Sequence, residues 1–463
     1  MLNNNFTKQV HLIGIGGVGM TPLALLLKEY GYDISGSDIS DFRLCNFLQS
    51  KGIKIYLNHS ASNVPSDSTV IYSSAISENN IEIQTAKKAN CTTISRIEAL
   101  KLITSDKRLI SITGSYGKST TTAFISSLLK EVNVNPSWII GADLFSFLPS
   151  GIGSSDIFVL ECDESRAEFL DFDPYFIILT NIGKDHLSNY CNSQEMLFSV
   201  LFSYVERINN TGAIFINIDD SLSEKFTSLL NDKHLITCGS SDNADYCFNI
   251  TSSTFNGVNF ETEFSITKKN CKTFITSINM PGKENVLDAV FAYAVALELG
   301  CREEIARKAI KNLPILDRRL EIKSVNEKSI VIDDEGDSPD VIKSALMKLK
   351  EYFPKKKILS IIQPHRYSRL KNLFNEYVDT LSNFSDDIII TPVYSAGENK
   401  DSFYDSISLY EAIKDYNFKG GLFNAINNTE TVNISKKYLN KDYVIITLGP
   451  GDIWRVADEI SVK

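Results

Sequence analysis

The most constraining stretch of this chain is Ser111-Ile112-Thr113-Gly114-Ser115-Tyr116-Gly117-Lys118-Ser119-Thr120-Thr121-Thr122. Its lead-in, Leu109 to Ile112, is apolar and reads as a short strand. A glycine turn follows, and from Ala123 to Val132 apolar residues recur at helical spacing, at Phe124, Leu128, Leu129 and Val132. Strand, turn and helix N-terminus make an anion cradle, because backbone N–H groups and the helix dipole converge on one place. Lys118 adds a positive charge for terminal phosphates, and the Ser119 hydroxyl is a ligand type for Mg²⁺. The spacing Gly-x-x-Gly-Lys-Ser is shorter than the general phosphate-loop pattern. A Gly-rich surface turn with an exposed lysine is the simpler alternative. Four hydroxyl residues after the lysine, heading an amphipathic helix, favour nucleotide binding instead.

Upstream, Val10 to Ile15 is an apolar strand running into Gly14-Ile15-Gly16-Gly17-Val18-Gly19-Met20. A helix is predicted from Thr21 to Tyr30 and a second strand over Asp33 to Asp38. An acid about twenty residues beyond the glycines makes this a Rossmann-like unit. Taken alone, it also suits an NAD-dependent oxidoreductase with Asp38 on the adenine ribose. Val70 to Ile76 reads as a buried strand ending in small polar residues, Ser74 among them, and Arg96 follows a strand over Thr92 to Ser95. Polar Ser105-Asp106-Lys107-Arg108 closes this first block.

The cradle opens the second block. Asp156 to Leu160 is a buried strand leading into Glu161-Cys162-Asp163-Glu164, and an acid at such a strand end beside a phosphate loop orients Mg²⁺ or its waters. Phe176 to Leu179 is another, ending in Thr180-Asn181-Ile182-Gly183-Lys184-Asp185-His186, where the histidine is a candidate for metal or substrate contact. Strands over Ala213 to Asn217, His234 to Cys238 and between Tyr246 and Ile278 extend the sheet. Helices follow from Pro281-Gly282-Lys283-Glu284-Asn285 through Glu298, and over Glu303 to Asn312. The last block starts with Ser329 to Asp334, a strand ending in acids. It alternates through Pro339 to Tyr352, Lys357 to Ile362, Leu370 to Phe384, Asp387 to Thr391 and Tyr443 to Leu448.

At 463 residues, roughly two to four domains are expected. The formal charge of −10 argues against a nucleic-acid scaffold. The polar start, Met1 to Gln9, carries no secretory pattern, and no apolar run reaches membrane-spanning length. Eight scattered cysteines offer neither a zinc spacing nor a disulfide framework. A cytoplasmic protein without stable membrane insertion, monomer or homodimer, is the expectation.

Taken together, the three α/β blocks around the short cradle resemble the Mur ligases, the ATP-dependent amide-bond ligases of peptidoglycan assembly. The likeness covers nearly the whole chain. It rests also on Ser35-Gly36-Ser37-Asp38, Gln363-Pro364-His365-Arg366-Tyr367-Ser368-Arg369, Tyr394-Ser395-Ala396-Gly397-Glu398 and Gly449-Pro450-Gly451-Asp452-Ile453. It implies an α/β chain of three domains: Rossmann-like 1–106 for a UDP-sugar, a central P-loop ATPase domain 107–320 with a mostly parallel sheet, and a Rossmann-like closing domain 321–463. The implied substrates are ATP, UDP-N-acetylmuramate and L-alanine, with Mg²⁺ as cofactor. Gly14, Gly16, Gly17 and Gly19 would hold the UDP diphosphate, with Ser37, Asp38, Ser74 and Arg96 near the uridine or sugar. ATP would lie against Gly114, Ser115, Tyr116, Gly117, Lys118, Ser119 and Thr120, with Asn285, Arg319, Asp333 and Asp334 also contacting the nucleotide. The implied catalytic set is Lys118, Glu161 and His186, and the implied metal set Ser119, Glu161 and His186.

The chain departs from the family pattern at several points. Tyr116 stands where a histidine is usual, and the usual Pro-Gly-x-His-Asn is Pro281-Gly282-Lys283-Glu284-Asn285. Arg318-Arg319 lack the customary Phe and Gly around them. After Asp333-Asp334, an aromatic, a glycine and two histidines give way to Glu335-Gly336-Asp337-Ser338-Pro339. That loop raises a second expectation, a relative that ligates another amino acid or a preformed peptide. A binding protein on an inactive ligase fold is disfavoured by the presence of Lys118, Ser119, Glu161 and His186.

Overall fold

In the computed structural model the described residues are 6–461, apart from Asp143, Asp185, His186, Asn192, Asn209 and Asn210; of Arg166, Glu168 and Ser188 only the backbone is described. His186, expected in both the catalytic and the metal set, therefore lies outside the described residues. The described residues form an α/β fold with three sheets of five, ten and six strands. Close contacts divide the chain into two units. One comprises residues 1–251, 263–278 and 283–314, the other 252–262, 279–282 and 315–463.

The first unit holds two of the sheets. In the smaller one, Lys54–Tyr56, Asp33–Ser37, Gln9–Ile13, Ser68–Tyr72 and Thr92–Ser95 lie side by side in that order, all parallel. The order reverses between Gln9–Ile13 and Ser68–Tyr72, and a doubly wound sheet binds ligands at the strand ends flanking such a reversal. The glycine turn opens there. Helix Met20–Glu29, buried along most of its length, carries the chain back to Asp33–Ser37.

In the larger sheet, strand Arg108–Thr113 lies between Ile157–Glu161 and Phe176–Leu179, parallel to both. Its register sets Ile112 opposite Glu161 and Thr113 opposite Leu179, so both neighbouring strands end beside the cradle. Helix Lys118–Glu131 starts at the lysine itself, five residues earlier than its apolar spacing predicts, because the first turn is hydroxyl-rich. It packs along helix Lys283–Glu298. Phe124, Ile125, Leu128 and Leu129 are fully buried, each contributing about 1.5–3 kcal/mol of transfer free energy. The buried hydroxyls are satisfied locally. Thr122 Oγ1 donates to the Lys118 carbonyl at 2.7 Å and Ser126 Oγ to that of Thr122 at 2.7 Å.

The second unit contains the third sheet, ordered Glu321–Val325, Ile330–Asp334, Tyr443–Leu448, Lys357–Ile362, Asp387–Ile390 and Leu422–Asn424. It is parallel except for the antiparallel first pair. Residues 252–262 belong to this unit, with Phe255 and Phe260 packing edge-on against Phe353 and Tyr352. The single helix expected over Leu370 to Phe384 is two, Tyr367–Asn372 and Phe374–Phe384, broken at Leu373. Among the described residues no helix is long and apolar enough to cross a membrane. All eight cysteines are free.

Candidate active site

The cradle is a turn between a central strand and a helix, and its glycines have distinct jobs. Gly117 takes φ +85°, a left-handed conformation at the head of helix Lys118–Glu131 that glycine adopts without strain. Among the described residues no side chain caps this helix, so its first-turn N–H groups are left facing the cradle. Gly114 takes φ +127°, and a Cβ there would stand 2.3 Å from Thr180 Oγ1 and 2.8 Å from the Asn181 carbonyl oxygen. Gly114→Ala is therefore expected to push the turn off its clamp and lower ATP affinity at least about tenfold, read as KM for ATP.

That clamp is the segment after Phe176–Leu179. Asn181 Oδ1 accepts the Tyr116 N–H at 2.9 Å, while Asn181 Nδ2 and Thr180 Oγ1 donate to the Tyr116 carbonyl at 2.9 and 2.7 Å. Ser115 Oγ accepts the Gly183 N–H at 2.8 Å. Thr180 and Asn181, at this strand end, thus fix the cradle backbone. Tyr116 lies over Gly183, where a Cβ would come within 2.5 Å of its ring. Below the turn, Thr121 Oγ1 donates to Asp288 Oδ1 at 2.5 Å, tying the cradle to helix Lys283–Glu298.

Lys118 Nζ donates to the Gly114 and Ser115 carbonyls at 2.7 and 3.2 Å and to Glu164 Oε2 at 2.7 Å. Burial by itself would lower its pKa, but Glu164, Asp163 and Glu161 outweigh it and hold the ammonium charged, above the ordinary lysine range. Glu164 is fully buried, a partner for Lys118 that the sequence pattern does not single out. The only signal was its place three residues after Glu161 in an acid-rich strand end. Glu161 accepts the Ser119 hydroxyl at 3.1 Å on one oxygen and the Gly141 N–H at 2.7 Å on the other. Burial pushes the Glu161 carboxyl up, against Lys118 and these two donors. Ser119 Oγ and Glu161 are adjacent hard oxygen donors, a set that fits Mg²⁺. Among the described residues no cluster of three or more His, Cys, Asp or Glu side chains is gathered for a metal. Few protein ligands suit an ion that keeps waters and phosphate oxygens in its shell. Thr120, also expected at the nucleotide, is buried.

At the first sheet, Gly14 takes φ +79° and donates its N–H to the Ser37 carbonyl at 2.8 Å. Gly16 N–H donates to Asp38 Oδ2 at 2.9 Å, and a Cβ at Gly16 would run into Phe42. Gly17 and Gly19 complete the turn, with Arg96 Nη1 3.0 Å from where a Gly19 Cβ would be. Asp38 and Arg96 therefore converge on the turn, and Ser74 is exposed just beyond strand Ser68–Tyr72. The Ser37 side chain is sealed under the turn and its hydroxyl is donated to Glu82.

Asn285 sits half-buried in the first turn of helix Lys283–Glu298, next to Lys283, whose ammonium lies 3.0 Å from Asp219 Oδ2. In the second unit, Arg319 pairs with Glu335 at 3.2 Å. Asp333 and Asp334, expected near the nucleotide, both have their carboxylates hydrogen-bonded within this unit. Asp333 accepts from Arg318 Nε at 2.9 Å and Thr447 Oγ1 at 2.5 Å; Asp334 accepts the Leu320 and Gly336 N–H groups, each at 2.8 Å. The acid loop pairs with basic neighbours, Asp337 with Arg369 and with His365 at 3.7 Å.

The sequence pattern of the Mur ligase family's catalytic domain matches residues 9–108, and that of the Mur ligase middle domain matches residues 112–296. A UDP-N-acetylmuramate–L-alanine ligase of Desulfosudis oleivorans is 32% identical over 97% of each chain. One of Dictyoglomus turgidum is 33% identical over 100% of this chain and 98% of its own. The crystal structure of a UDP-N-acetylmuramate–alanine ligase from Thermotoga maritima superposes with a TM-score of 0.80 at 27% identity, covering 98% of each chain. Fold and cradle together define an ATP-dependent ligase. A dehydrogenase built on the first sheet would leave the cradle and the third sheet without a purpose. The chain belongs to the Mur ligase family.

Proposed function

We propose that this chain joins L-alanine to the carboxylate of UDP-N-acetylmuramate, using ATP, in the synthesis of peptidoglycan precursors. The observation that carries the reading is the Lys118 cradle, flanked by Ser119, Glu161 and Glu164, in a chain related along its whole length to ligases of that name. A carboxylate is a poor electrophile. Its oxygen attacks the γ-phosphorus of ATP, ADP leaves, and an acyl phosphate forms. The amine of alanine then adds to the acyl carbon, loses a proton, and phosphate departs.

The residues suit these steps through charge and position. Lys118, held charged, meets the negative charge that accumulates on the phosphates, and the helix N-terminus adds backbone donors. Ser119 and Glu161 would hold Mg²⁺, which when bound further neutralises phosphate charge; His186 is proposed with them. Gly14, Gly16, Gly17 and Gly19, with Asp38, Ser74 and Arg96, take the UDP-sugar. Ser37 supports that turn from below. Asn285, Arg319 and the strand-end acids Asp333 and Asp334 are the remaining nucleotide positions in this reading. We assign UDP-sugar binding to residues 1–106, ATP binding to 107–320 and the amine to 321–463, in a protein acting as a monomer or homodimer. Free cysteines are consistent with a reducing cytoplasm.

The test is phosphate release from ATP in the presence of UDP-N-acetylmuramate and a panel of single amino acids. Release is expected with L-alanine above all others. Release with a different amino acid only would point instead to the Glu335–Ser338 loop as a changed amine site, and release with none would sink the reading.

A further inference from the structure

Beneath the glycine turn lies a polar cluster of which these roles use only Ser37. Glu82, on the first turn of helix Ile81–Lys88, is fully buried, as is His11 in the middle of strand Gln9–Ile13. Glu82 Oε1 accepts the Ser60 N–H at 3.0 Å and Asn63 Nδ2 at 2.7 Å. Glu82 Oε2 accepts the Ser37 hydroxyl and lies 3.4 Å from both His11 Nε2 and His59 Nδ1. His59 Nδ1 is also 2.9 Å from Ser37 Oγ. Burial pulls the Glu82 pKa up, but hydrogen bonds from His11, Ser37, Ser60 and Asn63 outweigh it and bring it down to about 2.

A buried carboxylate is a costly way to cap a helix or fill a core. Here the cap is already supplied, because Asn80 Oδ1 accepts the Glu82 N–H at 2.9 Å. What Glu82 adds is a tie between the helix, the segment Asn58 to Asn63 and the end of strand Asp33–Ser37. The next residue, Asp38, donates its N–H to the Tyr56 carbonyl at 3.0 Å and accepts the Gly16 N–H at 2.9 Å. The chain of contacts from Glu82 to the glycine turn is thus Ser37, Asp38, Gly16.

We propose that Glu82 is a positioning residue for the UDP-sugar crevice: by holding Ser37 and His59 it fixes the Asp38–Gly16 link that shapes the turn. This rests on the reading of the first sheet as the UDP-sugar domain. The test is steady-state kinetics of Glu82→Gln, Ser37→Ala, their double variant and Asp38→Asn, with each substrate varied in turn. Glu82→Gln is expected to raise KM for UDP-N-acetylmuramate about tenfold, leaving KM for ATP and alanine and kcat within about twofold. Adding Ser37→Ala should change little further, since both act through one contact. If KM for all substrates and kcat move together in folded protein, Glu82 is a general stability residue and the proposal fails. If Glu82→Gln leaves the UDP-sugar KM unchanged while Asp38→Asn raises it, the crevice stands and the positioning role falls. If neither moves it, the crevice assignment itself is wrong. Should Glu82→Gln not fold, Ser37→Ala decides: it must raise the UDP-sugar KM about threefold with KM for ATP unmoved, and an unchanged value overturns the proposal.

Discussion

Lys118→Met should abolish turnover, with kcat for L-alanine-dependent phosphate release falling by about 10³-fold or more. Removing one donor from a site that stabilises developing negative charge costs roughly 10²–10³, and Lys118 contributes a full charge. The same substitution has a second consequence. Glu164 is fully buried and its carboxylate faces the ammonium at 2.7 Å, and stripping one partner from a buried ion pair costs about 3–5 kcal/mol. Lost activity in the single variant is therefore ambiguous between chemistry and unfolding. The double variant Lys118→Met/Glu164→Gln separates them. It removes the stranded charge, so thermal melting should recover most of the lost stability while turnover stays absent. A folded double variant that still releases phosphate near the native rate would remove Lys118 from the mechanism.

What was legible in the sequence was what is local. The cradle declares itself because its glycines, lysine and hydroxyls are consecutive, and the helix behind it has a clear apolar period. Strands Phe176–Leu179, Ala213–Asn217, Lys357–Ile362 and Tyr443–Leu448, and helix Pro339–Tyr352, fall where pattern places them, because buried parallel strands are apolar runs with polar ends and an amphipathic helix has a clear apolar period. Partnerships across the sheet were not legible. Asn181 clamps Tyr116 from a neighbouring strand, and Ser37 is claimed by a carboxylate 45 positions away. A serine at a strand end reads the same whether it faces a ligand or a buried glutamate. The partners of Asp333 and Asp334 were illegible for a related reason. Acids closing a parallel strand suggest a metal or nucleotide, and nothing in the local pattern says that Arg318 consumes one and two backbone amides the other. Helices Ser406–Asp415, Asn428–Ser435 and Trp454–Ser461 are short, and periodicity over so few turns is weak.

Arg318→Met should be the most destabilising single change in the second unit. The guanidinium is nearly fully buried and donates to Asp333 at 2.9 Å, to the Pro450 carbonyl at 3.2 Å and to the Gly449 carbonyl. Burial works against its charge, but Asp333, Glu335 and Asp334 together keep it protonated. It also holds a strained stretch in place. Arg318 and Leu320 take φ of +58° and +49°, conformations that cost non-glycine residues of order 1–3 kcal/mol each. They persist because Arg318 N–H is taken by Glu321 at 2.9 Å, Leu320 N–H by Asp334 at 2.8 Å, and the Arg318 carbonyl by Glu335 N–H at 2.9 Å. Without the guanidinium, Asp333 is left buried against Thr447 alone, and a loss of about 3–5 kcal/mol follows. The chain's two tryptophans allow the effect to be localised, since Trp138 lies in the first unit and Trp454 in the second. In a Trp138→Phe background, the urea midpoint reported by Trp454 should fall sharply on Arg318→Met. Pairing the change with Asp333→Leu, which removes the orphaned charge, should restore much of it. An unchanged Trp454 midpoint in the single variant would mean that the backbone hydrogen bonds alone hold this segment and that the ion pair is dispensable.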